Sequence, residues 1–105
     1  MERRSAPRIE SDVPVTITIL GSVLAHCRGR LVNASVRGIS ALVNHPLAKR
    51  EGVKLEAEDQ LFVGRVIYCK PTGGAYLVGI SLTHKVPEAE LEKLRSHTFS
   101  QALSG

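Results

Sequence analysis

Aromatic side chains are nearly missing from these 105 residues: Phe62, Tyr68, Tyr76 and Phe99 are all there is, with no Trp. The core must then be aliphatic, built from Val, Leu, Ile and Ala. Small barrels that bind single-stranded nucleic acid rely on aromatic platforms for stacking, so scarcity also weighs against DNA or RNA as partner. Two cysteines, Cys27 and Cys69, set no disulfide framework and read as reduced, mostly buried thiols. No apolar window approaches the roughly 18 residues of a membrane span. The first 20 residues hold Arg3, Arg4 and Arg8 and then alternate, which is no signal peptide, so a cytoplasmic location is expected.

Chemical motifs are scarce as well. Gly73-Gly74 is followed by Ala75 and Tyr76, which is hairpin chemistry and no phosphate loop. His26 and Cys27 are neighbours and face opposite ways on a strand, and the other histidines have no ligand spacing, so no metal is expected. Ser35 does not sit in a nucleophile elbow. No catalytic residues, no enzyme and no cofactor are expected.

Lysine is absent from residues 1–37, which carry six Arg against three acids; residues 38–105 carry eight basic residues against seven acids. The excess charge is thus concentrated in the first third, and there it is all guanidinium. Arg forks onto phosphate and stacks on flat rings where Lys cannot. An anionic ligand with planar groups suits that pattern, and so does a solvated basic tail.

What is present is mostly period-two alternation. Strands are predicted at 13–20, 23–32, 39–43, 53–57, 61–69 and 75–82, with a turn at Pro71-Thr72-Gly73-Gly74. The period then changes: Pro87, Leu91, Leu94, Thr98 and Ala102 predict one amphipathic helix over 87–102. The expected organisation is a single domain over 1–105: an Arg-rich arm at 1–10, a barrel at 13–82 and the helix. The fold class is mainly β, a six-stranded antiparallel β-barrel with a flexible N-terminal arm and one C-terminal α-helix.

Two short elements carry the candidate chemistry. Arg3-Arg4-Ser5-Ala6-Pro7-Arg8 places guanidinium groups on a segment stiffened by Pro7. Asn33-Ala34-Ser35-Val36-Arg37-Gly38 puts an amide and a hydroxyl on one side of extended backbone. The second element also reads as a polar turn between the second and third strands, bonded to its own backbone.

Taken together, R-x-x-x-R before the first strand and N-x-S-x-x-G between the second and third resemble the PilZ domain family, whose motifs read (R)RxxxR and (D/N)xSxxG. Here they stand as Arg4 and Arg8 with Arg3 ahead, and as Asn33, Ser35 and Gly38. Strand order, the Val78-Gly79-Ile80 strand and the trailing helix extend the likeness over most of the chain. The resemblance implies a barrel that binds the bacterial second messenger cyclic di-GMP. It implies that Arg4 and Arg8 grip phosphate and guanine, that Asn33 and Ser35 bond a guanine edge, and that Gly38 shapes the loop beneath. Arg3 would stack on a second ligand molecule. Asn33 replaces the more frequent Asp. The implied partners are cyclic di-GMP and a downstream protein. The rival readings are a nucleotide-free protein adaptor on the same fold and a small-barrel single-stranded nucleic-acid binder.

Overall fold

Alternating burial sets the architecture. In the computed structural model, which describes residues 8–21 and 25–94, the apolar member of nearly every pair points to one interior. Strand β2 (Pro14–Ile19) buries Val15, Ile17 and Ile19, and β4 (Gly38–Val43) buries Ile39, Ala41 and Val43. Strand β5 (Gly52–Ala57) buries Val53, Leu55 and Ala57, and β7 (Ala75–Leu82) buries Val78 and Ile80. With β3 (His26–Ser35) and β6 (Gln60–Thr72) they close a ring β3-β2-β5-β6-β7-β4, in which every pair is antiparallel and β4 returns to β3. Closure leaves no long open edge and puts the aliphatic side chains in the lumen.

A seventh strand corrects the sequence reading. Residues 1–10 read as a flexible arm, yet β1 (Arg8–Glu10) pairs with the far end of β3. The cause is Ile9, 6% exposed, which docks in the core. Ser11 N donates to Val32 O and Leu31 N to Val13 O, so β1 and β2 follow each other along the same edge of β3. A local bond, in which Val13 N donates to the Ser11 hydroxyl at 3.2 Å, spans the connection between them. Residues 1–7 lie outside the described residues.

Two bulges correct the strand boundaries. The register slips between Leu31 and Asn33 on β3, so the buried residues are Leu31 and Ala34, three apart, and the strand runs on through Ser35 where the alternation predicts its end at 32. A second slip between Val66 and Tyr68 lets β6 continue to Thr72, past the predicted end at 69. Asn33 and Ser35 therefore sit on a strand, and only Val36 and Arg37 make the turn into β4.

The helix is shorter than the 87–102 expected. Helix α1 (Glu88–Glu92) starts after Pro87 and ends where Lys93 N and Leu94 N bond to carbonyls three residues back, which tightens the last turn. Leu91 and Leu94 are buried as the predicted face requires. The remainder of the expected helix, from 95 on, lies outside the described residues. Among the described residues no helix is long and apolar enough to cross a membrane.

Both thiols lie among the barrel strands. Cys27 is buried on β3, and the half-buried Cys69 on β6 accepts a bond from Leu47 N at 3.5 Å. Burial pushes the Cys27 thiol up, and the Cys69 group adds to the shift. A raised native value means its contribution to stability is complete below the ordinary thiol range and lost as pH climbs through the native value. The urea midpoint of the wild type is therefore expected to fall more between about pH 7 and about pH 10 than that of Cys27→Ala. Equal slopes in the two proteins would contradict the shift.

Candidate functional site

On the outside of the ring, small residues form a floor. Gly38 and Ser40 on β4 alternate with the buried Ile39 and Ala41, and Gly79 on β7 lies between the buried Val78 and Ile80. Register pairs Ser40 with Gly79, and Gly79 with Tyr68 of β6. A methyl group built on Gly79 would run into the Tyr68 ring. The glycine is what lets that ring lie close over β7. The bulge after Val66 shifts the alternation so that Tyr68 takes this position.

Asn33 and Ser35 on β3 form the opposite wall. The Ser40 hydroxyl donates to Asn33 Oδ1 at 3.0 Å, and the Ser35 hydroxyl donates to Gly38 O at 3.3 Å. The second bond closes the N-x-S-x-x-G segment on itself. Two backbone bonds brace it from below: Leu82 N donates to Arg37 O at 2.8 Å and Val86 N to Val36 O at 2.7 Å. Gly38 packs against Ile80 O, with only 3.2 Å left for an added carbon.

Floor and walls enclose a depression of about 180 Å³ that includes Asn33, Ser35, Gly38, Ser40, Ile67, Tyr68 and Gly79. The Lys70 ammonium lies 5.1 Å from the Tyr68 ring centre, on the ring's negative face. A flat slot with an aromatic wall, an amide donor and a hydroxyl acceptor is suited to a planar heterocycle read at its edge.

Three of the six predicted site residues, Asn33, Ser35 and Gly38, are brought together here. Arg8 is brought alongside by backbone register, opposite Ser35. Arg3 and Arg4 lie outside the described residues. Ser40, Tyr68 and Gly79 are additional. A glycine in the middle of the strong strand AYLVGISL was the available signal for a close approach. Among the described residues no group of three or more His, Cys, Asp or Glu converges.

A second depression, of about 460 Å³, lies on the other side of Asn33 and includes Glu10, Asp12, Arg30, Asn33 and Leu42. Its register is set by the same strand: Glu10 lies opposite Asn33, and Arg30 opposite Leu42.

Comparison with known proteins agrees with this architecture. A family model described as PilZ domain matches residues 2–100. No curated protein is significantly similar to the chain. Among solved structures, the Bacillus subtilis Inhibitor of motility (MotI/DgrA) superposes with a TM-score of 0.63 at 16% identity, covering 99% of this chain and 53% of that one. The PilZ domain with c-di-GMP of YcgR from Escherichia coli superposes with a TM-score of 0.62 at 16% identity, covering 89% and 86%. The chain thus spans about half the length of the Bacillus protein. At these identities the two structures speak for the fold.

Proposed function

Because this chain belongs to the PilZ domain family, we propose that it is a cytoplasmic cyclic di-GMP receptor that passes ligand occupancy on to a partner protein. The family is one of binding and adaptor domains rather than enzymes. One of the two similar structures, YcgR, was solved with this ligand. The observation that carries the reading is the β1–β3 register, which puts Arg8 opposite Ser35 beside the slot that Asn33 and Ser35 wall.

In this reading one guanine enters the slot. The Asn33 amide and Ser35 hydroxyl meet its edge, and Tyr68 flanks the ring. Arg4 and Arg8 fork onto phosphate and guanine acceptors. Arg3 stacks on a second ligand molecule. Gly38 keeps the floor low. Ligand binding changes the protein's conformation, and the surface so created is what a partner reads.

Each bidentate base contact is worth about 1–3 kcal/mol, so two guanines and two phosphates held this way reach about −8 kcal/mol, or micromolar. Calorimetric titration of the full chain with cyclic di-GMP is expected to give micromolar or tighter binding. Cyclic di-AMP, whose purine offers a donor where guanine has O6, is expected to bind at least tenfold more weakly. Binding neither ring would overturn the proposal.

A further inference from the structure

A cyclic dinucleotide carries two guanines, and the slot beside Tyr68 takes one of them. Asn33 already uses its amide oxygen to accept from Ser40, and Ser35 already donates its proton to Gly38 O. What they offer outward is an amide donor and hydroxyl lone pairs. The amide answers guanine O6 and N7. The second guanine needs a seat of its own, and its N1–H and 2-amino group are donors that require a strong acceptor.

The carboxylate placed to supply it is Glu10. It is exposed and is the register partner of Asn33, and directly opposed residues of an antiparallel pair share a face. Both border the depression of about 460 Å³, and Asn33 is the wall common to that depression and the slot beside Tyr68. Asp12, the other carboxylate there, already has an interaction partner. Across the depression Arg30 and Leu42 face each other in register, both exposed, Leu42 at 36%. An apolar platform beside a guanidinium is a surface on which a planar ring can stack. The two depressions lie on one continuous face from β1 through β3, β4 and β7 to β6, four strand spacings or about 19 Å along the sheet.

We propose that the depression between β1, β3 and β4 is a second purine subsite for the same cyclic dinucleotide, in which the Glu10 carboxylate accepts from guanine N1–H and N2–H₂ while Arg30 covers the ring. The inference deepens the receptor reading and rests on it. It also accounts for a carboxylate in the Arg-rich first third, since an anion beside a diphosphate ring is repulsive unless guanine donors engage it.

Calorimetry on the full chain tests it with two ligands: cyclic di-GMP and its inosine analogue, which lacks the 2-amino group. The wild type is expected to prefer cyclic di-GMP by about tenfold. Glu10→Gln is expected to weaken cyclic di-GMP binding ten- to a hundredfold and to abolish that preference. Arg30→Ala is expected to weaken both ligands equally. The preference ratio does not depend on the folded fraction, so a merely structural effect would leave it unchanged. If the wild type binds and Glu10→Gln keeps its affinity within about twofold with the same preference, the subsite is overturned while the receptor reading stands. A wild type that binds neither ring overturns both.

Discussion

Arg8→Ala is expected to weaken cyclic di-GMP binding by about a hundredfold or more while the barrel stays folded. A hydrogen bond to a charged group contributes about 1.5–3 kcal/mol, and a guanidinium forked onto phosphate or guanine makes two. Losing both removes roughly 3–4 kcal/mol, or two to three orders of magnitude in Kd. The strand itself should survive. β1 is held by backbone pairing with β3 and by Ile9 in the core, neither of which needs the Arg8 side chain. Stability should therefore move by no more than about 0.5 kcal/mol. Arg8→Lys keeps the charge and loses the fork, so it should recover only part of the affinity. Titration calorimetry with a parallel urea melt separates the two effects. An Arg8→Ala protein that binds like wild type would contradict the placement of β1 at the site.

Gly79→Val is expected to close the slot. The residue sits on β7 between Ser40 and Tyr68 in register, and any Cβ there overlaps the Tyr68 ring. Ring and branched side chain cannot share the space, so the ring must swing out over the depression or the strands must part. Overpacking of this kind costs about 1–3 kcal/mol. Cyclic di-GMP affinity should fall at least tenfold, because the aromatic wall no longer borders a flat cleft. The mechanism makes a sharper claim about stability. With Tyr68→Ala the obstacle is gone, so Gly79→Val should cost much less in that background. The double-mutant cycle should show about 1–3 kcal/mol of coupling by urea unfolding. Additive costs would mean that the glycine serves the strand and not the slot.

Much of this molecule could be read from its residues in order. Val13 to Ile19, Ile39 to Val43 and Val53 to Ala57 alternate cleanly, and each is a barrel strand with the apolar set inside. The hairpin turn falls inside the expected Pro71–Gly74 segment, at Gly73 and Gly74, both with positive φ. Three things were hidden. β1 has only Ile9 to announce it, and three residues are too few to show a period. The bulges at Leu31/Asn33 and Val66/Tyr68 break the alternation that sequence reading depends on, so both strands read short. The helix ended early because bonds to carbonyls three residues back tightened its final turn.

The site divides the same way. Asn33, Ser35 and Gly38 lie within six residues of each other and read as one element, and the R-x-x-x-R element ahead of them completes the resemblance that singles them out. Ser40, Tyr68 and Gly79 come from three neighbouring strands, β4, β6 and β7, and face Asn33 and Ser35 because β3 pairs with β4 to close the ring. Their partnership is a property of register, and register across long loops leaves no local mark on a sequence.

The central claim is that the amino-terminal arginines and the Asn33–Gly38 segment converge on one ligand. It is tested most directly by following backbone amide resonances of the isotope-labelled protein as cyclic di-GMP is added. The account predicts saturable shifts confined to residues 3–12, 30–42 and the neighbourhood of Tyr68 and Gly79. Spectra that stay unchanged at millimolar ligand, or shifts centred on the α1 end of the barrel, would contradict it.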